Sequence, residues 1–315
     1  MRLLIFNPET EYALASGASF YTPPARVERL RRELQLLPEV WAAPGDRILV
    51  DDTESLSSCF PLVTWGELAS LFKEFPDIVI EPWGWNPALV RRFLDSGVPS
   101  EYLPDTETIA RIRALAHRRT TIALNNLWNE TVDSGFRVDV PSELHSIEEC
   151  MFYYKANPGC WMKAPWSSSG RGVINTAADM NDMLVEQWCR GILRRQGSVM
   201  GETGAVRKAD YATEWRMSSG ELYFIGLSSF STSNRGKYIS NDPISQVDMK
   251  ERFNAISLIP IDEVVANQKV ILQEILKGYD GLFGVDMIIQ HDGRIRPFVE
   301  LNLRRTMGML HCKGC

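Results

Sequence analysis

The chain predicts an α/β protein, with an N-terminal parallel α/β domain followed by an α+β region built in two halves. Three observations predict it. The first hundred residues alternate short apolar strands with amphipathic helices, the pattern of a parallel, doubly wound sheet. A lysine-bearing strand then runs straight into a Ser/Gly-rich loop. Long alternating strands follow, and the last two form a hairpin rich in acids set among apolar neighbours.

The first strand is read at residues 3–6, an apolar run. A helix is expected over 24–37, because Val27, Leu30, Leu34 and Leu37 recur at helical spacing and Pro24 suits a first turn. Residues 47–50 read as a second strand that ends in Asp51-Asp52. Thr64 and Glu67 have the spacing of a capping box, opening a helix to Phe75. A third strand falls at 77–81, and Asn86-Pro87 caps a helix that stops before Gly97. Helices are expected at 105–118 and 120–129, and a second capping box, Ser146 to Glu149, opens another through Lys155. A strand at 160–164, the loop 166–172 and a long helix over 178–195 come next. Residues 199–202, 211–217 and 222–229 are read together as strands of one antiparallel sheet. Residues 231–242 lack periodicity and read as a loop. A helix at 262–277 precedes the final strands, 283–290 and 294–302. The domains expected are 1–104, 105–197 and 198–315.

Composition narrows the function. The 315 residues are 44% hydrophobic and 23% charged, values of a globular chain. The net charge of −6 argues against a general nucleic-acid binder, which needs clustered Lys and Arg. No apolar run reaches the roughly 18 residues of a membrane span, and residues 1–8 lack a signal peptide's pattern. The six cysteines are too sparse for a disulfide-stapled fold, so a cytoplasmic protein is expected. Cys312 and Cys315 make half a zinc site or simply a tail, and the four histidines have no metal-ligand spacing.

Two clusters carry chemistry. In the first, Lys163 ends a strand and Ser167, Ser168, Ser169, Gly170, Arg171 and Gly172 follow it. Glycines let backbone N–H groups approach an anion, serines add donors, and the lysine brings a point charge, so this is a phosphate-binding pattern. It is not a Walker loop, since the lysine precedes the glycines. In the second, Glu300 and Asn302 are two apart on a strand and share a face. Asp286 joins them if the loop 291–293 has three residues with Gly293 left-handed; a two-residue turn would send it to the opposite face. In the three-residue register Asp286 pairs with Phe298 and lies diagonally from Glu300, roughly 7–8 Å away. Two carboxylates and an amide oxygen suit Mg2+ completed by phosphates and water.

Taken in this order, these clusters resemble the ATP-grasp superfamily over about residues 105–310. The resemblance implies ATP and Mg2+ as cofactors, with Lys163 and the 167–172 loop on the phosphates and Asp286, Glu300 and Asn302 on the metal. It implies an adenine-binding hinge at 199–202 with Glu202 on the ribose, and an upstream basic residue, for which Arg118 and Lys155 are the candidates. The residues 203–210 after the hinge are unusual for the family. Arg304, Arg305 and Arg216 are candidates for anionic oxygens, with Arg304 preferred to Arg305 because it keeps the face of Asn302. Arg235 and Lys237 are candidates for a lid or substrate contact. The implied function is an ATP-dependent ligase joining a carboxylate to an amine or other nucleophile through an acyl-phosphate. The alternatives are a phosphotransferase with a non-carboxylate acceptor and a nucleotide-binding module without turnover. The expected partners are small-molecule or peptide-like carboxylates and amines, with no nucleic acid and no membrane. The loop 7–12 reads either as a second-substrate loop or as a strand-to-helix turn, and Trp83, Trp85 and Trp166 either line a cleft or pack.

Overall fold

The computed structural model describes residues 1–54, 56–167, 172–176, 180–232 and 238–312. The chain divides into two compact units, Met1–Ala114 and Leu115–Cys315.

The first unit holds β1 (Arg2–Ile5), α1 (Thr10–Ser16), α2 (Ala25–Glu33), β2 (Arg47–Val50), β3 (Leu62–Thr64), α3 (Leu68–Glu74), β4 (Val79–Pro82), α4 (Pro87–Asp95) and α5 (Thr106–Leu115). The four strands form a parallel sheet in the order β3-β2-β1-β4. Leu3, Leu4, Ile5 and Phe6 are all buried, as expected for a parallel sheet covered on both faces. The caps act as the spacing predicts. Thr64 and Glu67 complete the capping box, and Asn86 accepts from the Leu89 N–H at 2.9 Å. The sequence did not reveal α1 or the three-residue β3, both too short to display a period. Asn7 donates to the Gly84 carbonyl at 2.8 Å and to Thr10 Oγ1, so it ties together the segments that leave β1 and β4. Trp83 packs on Phe6, and Trp85 on Phe93.

The second unit contains α6 (Thr120–Thr131), β5 (Ser142–Leu144), α7 (Ile147–Ala156), β6 (Trp161–Lys163), β7 (Val173–Asn175), α8 (Asp182–Gln196), β8 (Val199–Glu202), β9 (Arg207–Ser218), β10 (Glu221–Thr232), β11 (Tyr238–Asn241), α9 (Gln246–Asn254), α10 (Ile261–Ile275), β12 (Gly281–Gln290) and β13 (Ile295–Asn302). They build two antiparallel sheets, β5-β8-β6-β7 and β11-β10-β9-β12-β13. This corrects the sequence reading in two places. β8 belongs with the lysine strand rather than with β9 and β10, and the stretch read as loop 231–242 contains β11. Alternation shows which face a side chain takes but not which strand lies beside it.

Period-two alternation sets the site's orientation. On β6, Met162 enters a core with Cys150, Val185, Cys189 and Val199, so Lys163 points to the other face. On β9, Tyr211 packs against Phe253 and Thr213 bonds Gln268 of α10, which leaves Asp210, Ala212 and Glu214 on the opposite face. β12 and β13 continue that face with Asp286, Glu300 and Asn302. Among the described residues no helix is long and apolar enough to cross a membrane.

Candidate functional site

Lys163 is 8% exposed, and its Nζ donates to Glu202 Oε2 at 2.6 Å. The register explains the pair. Lys163 lies opposite Met200 and Trp161 opposite Glu202, so Glu202 is the diagonal neighbour of Lys163 on one face. Beyond β6 the chain turns through Ser167 and returns at Gly172, whose φ is +72°. A Cβ on Gly172 would lie 2.9 Å from that of Ser167, so this return needs glycine. Ser168, Ser169, Gly170 and Arg171 lie outside the described residues, as do Arg235, Lys237 and Cys315.

Arg118 precedes α6 and is 6% exposed. One terminal nitrogen donates to the Ala164 carbonyl at 2.7 Å and to Ser167 Oγ at 2.6 Å. The other donates to Glu300 Oε1 at 2.5 Å. Its Nε is buried with no partner among the described residues. Lys155, the other candidate for the upstream base, lies on the surface beside Asp182, 4.0 Å away. Trp166 is buried edge-on against His117, so it packs rather than lining the site.

The acidic hairpin turns as the three-residue loop predicts: Gln290 N–H bonds the Arg294 carbonyl and Gly293 has φ +83°. Ile289 opposes Ile295 and Ile288 opposes Arg296. An irregularity then gives β13 two extra residues, and Asp286 lies directly opposite Glu300, not Phe298. A shift of two preserves the face, so the predicted convergence holds while the predicted diagonal becomes a direct pair. Asn302, opposite Gly284, donates from Nδ2 to Asp286 Oδ1 at 3.2 Å and accepts from Arg304 at 3.2 Å. Arg304 also bonds the Arg305 carbonyl, and burial pulls its guanidinium down to about 10.

Burial, with the Glu300 carboxylate next, pushes Asp286 well above the usual carboxylate range. Glu214 lies on the same face of the sheet and is fully buried. It accepts from Ser228 and Thr306 at 2.9 Å each. Burial pushes it up to about 7.

A cavity of about 360 Å3 brings these parts together. Arg118, Lys163, Glu202, Asp286 and Glu300 line it, with Trp161, Arg207, Asp210 and Arg296 among the others. Asn302 and Arg304 adjoin it through Asp286 but do not line it. Arg216 is exposed on the same sheet face, beyond the buried Glu214, and is not part of the lining. Sequence reasoning missed Arg207, Asp210 and Arg296. Arg296 had a signal, since it shares the even parity of Glu300 along β13.

Among the described residues no three His, Cys, Asp or Glu side chains surround one point, so these residues form no closed metal cage. The donor set does fit an open hard-cation site. Two carboxylates face each other, and Asp286 has no cationic partner among the described residues. Mg2+ characteristically takes one or two carboxylates and completes its shell with phosphates and water.

The whole chain superimposes on enzymes of known structure. Biotin carboxylase from Campylobacter jejuni, solved as a β,γ-ATP complex, matches with a TM-score of 0.57 and 12% identity over 97% of this chain and 66% of that one. The biotin carboxylase domain of Hydrogenobacter thermophilus 2-oxoglutarate carboxylase, solved with MgADP, ADP and bicarbonate, matches at 0.55 and 14% over 97% and 64%. L-amino acid ligase from Bacillus licheniformis matches at 0.51 and 13% over 98% and 70%. The chain thus spans just under two thirds of the length of the first two. No family model matches the sequence, and no curated protein matches it. The chain has the ATP-grasp fold: a parallel four-stranded N-terminal sheet followed by two antiparallel sheets.

Proposed function

We propose that the chain is an ATP- and Mg2+-dependent ligase that joins a carboxylate to an amine or another nucleophile through an acyl-phosphate. One observation carries the reading. On this fold, a single cavity has Lys163 and Arg118 on one side and the facing Asp286 and Glu300 on the other. Phosphate oxygens call for the first pair and a hard cation for the second. In this reading the second unit works as two halves meeting near residue 198.

The roles follow from charge and position. Lys163 neutralises phosphate oxygens, Ser167 and the glycine loop donate to them, and Glu202 takes the ribose hydroxyls. Asp286 and Glu300 would hold Mg2+, with the Asn302 amide, bonded to Asp286 and Arg304, as the third candidate ligand; the ion would supply charge neutralisation on the reacting phosphates. Arg304, held against Asn302, steadies the transferring phosphoryl group or the acyl-phosphate. Arg216, away from the cavity, has no role in this scheme. The chain's contribution is alignment and electrostatic stabilisation rather than covalent chemistry. The carboxylate attacks the γ-phosphorus and ADP leaves; the nucleophile then attacks the acyl carbon and phosphate leaves.

The test is product identification. The protein is incubated with ATP, Mg2+ and paired panels of carboxylic acids and amines, and products are read by mass spectrometry and 31P NMR. An amide with stoichiometric ADP and phosphate supports the proposal. A stable phosphorylated acceptor would reassign the chain as a phosphotransferase, and bound nucleotide without turnover across the panel would reduce it to a binding module.

A further inference from the structure

The cavity is neutralised from within. Lys163 is bonded to Glu202 at 2.6 Å, and Arg118 to Glu300 at 2.5 Å. These are the side chains that the ligase reading assigns to phosphate, ribose and metal, and each is already engaged. The Arg118–Glu300 pair matters more. Arg118 is anchored by its other terminal nitrogen to Ala164 and Ser167, in the segment that leaves the lysine-bearing strand β6, while Glu300 sits on β13 of the other sheet. The pair is therefore a bridge between the phosphate wall and the metal wall.

Charge accounting makes the consequence concrete. A divalent cation that arrives alone competes with Arg118 for Glu300, and displacing Arg118 leaves its buried guanidinium with Ala164 and Ser167 but no counter-charge. That is the costly way to break a buried ion pair. Asp286, the carboxylate without a cationic partner among the described residues, is by itself too small a foothold for a cation that wants about six oxygens. A phosphate that arrives alone meets Asp286 and Glu300 with no cation between. When metal and phosphate arrive together, the two pairs exchange partners and no charge is stranded. Arg118, whose Nε–H has no acceptor among the described residues, turns to phosphate oxygen while Glu300 turns to the metal.

We infer that Arg118 is a positioning residue that withholds Glu300 from metal until a metal-bound phosphate ligand arrives, so that divalent cation and nucleotide bind as one unit. This rests on the ligase reading of the cavity and adds to it an order of assembly. Lys163 and Glu202 act in parallel on the nucleotide alone, so they do not by themselves link it to the metal.

The probe is Mn2+, with free Mn2+ read by EPR in the absence and presence of ADP, on the full chain and its Arg118→Met and Arg118→Lys variants. The wild type binds Mn2+ weakly alone and at least about tenfold more tightly with ADP. Arg118→Met frees Glu300, so Mn2+ alone binds about tenfold more tightly than to wild type, while ADP binds less well. Removing a residue that only supports the fold does not raise metal affinity. Arg118→Lys keeps the cation but cannot span Ser167 and Glu300 together, and its Mn2+ affinity falls between the other two. Circular dichroism establishes which variants are folded. Unchanged or weaker Mn2+ binding by a folded Arg118→Met overturns the inference, and leaves the ligase reading standing if wild type still binds ADP. Should the methionine variant not fold, Mn2+ binding by Arg118→Lys no tighter than wild type overturns it equally. A wild type that binds neither ADP nor Mn2+ overturns both.

Discussion

Glu214→Gln is expected to stabilise the protein, and to do so only above about pH 4.5. Glu214 is fully buried on the cavity face of β9, with two hydroxyl donors and no cation bonded to it among the described residues. Burial outweighs those hydrogen bonds and raises its carboxyl from 4.5 to about 7. A carboxyl raised on folding holds its proton more tightly in the native state. Its favourable contribution is therefore complete below about pH 4.5, declines as pH rises towards 7, and is gone above that. At 1.36 kcal/mol per pH unit, the interval amounts to about 3 kcal/mol of native-state penalty at pH 8. Glutamine is neutral throughout and keeps the shape, and the Ser228 or Thr306 hydroxyl can turn to accept from its amide. Urea unfolding in EDTA, followed by tryptophan fluorescence, measures the difference. The variant is expected to match wild type near pH 4.5 and to exceed it by about 3 kcal/mol at pH 8. Equal stability at pH 8, or a gain of the same size at both pH values, would refute the account of Glu214 as a carboxyl protonated by burial.

Three further outcomes are expected. Lys163→Ala weakens nucleotide binding by about tenfold or more in isothermal titration, through loss of a nearly buried charge–phosphate contact. Glu300→Gln leaves ADP affinity measured in EDTA within a few-fold and lowers the rate of Mg-ATP turnover by about a hundredfold or more, because a metal ligand acts on the reacting phosphates; parallel small effects on both would place Glu300 outside the chemistry. Asn86→Ala removes the N-cap of α4 and costs about 1 kcal/mol in chemical unfolding, with no change in nucleotide affinity.

Most of the architecture was legible because it depends on local pattern. The strands Arg47–Val50 and Val199–Glu202 have the limits read from the sequence, and the caps at Thr64, Asn86 and Ser146 open the helices they were expected to open. What failed was non-local. Nothing along the chain says that β8 lies beside β6 rather than β9, because alternation carries no address. The partner of Asp286 was misread for a related reason. An irregularity in β13 has no sequence mark, and only its even length kept Asp286 on the face of Glu300. Arg118 and Glu300 are 182 positions apart, so their pairing was beyond any spacing argument, although Arg118 itself was a candidate. Arg207 and Asp210 precede residue 211, where the sequence reading begins the strand, whereas β9 starts at Arg207.

The central claim is that the cavity between Lys163 and the Asp286–Glu300 pair takes a magnesium nucleotide. Thermal unfolding with and without Mg-ADP tests it most directly. A ligand bound only by the native state adds about 2.7 kcal/mol at a hundredfold excess over Kd, which for a chain of this length raises Tm by about 4 °C. The account predicts that rise for Mg-ADP, a much smaller one for ADP in EDTA, and about half the rise or less for Mg-ADP with Lys163→Ala at the same concentration. An unchanged Tm for wild type at millimolar Mg-ADP would contradict it.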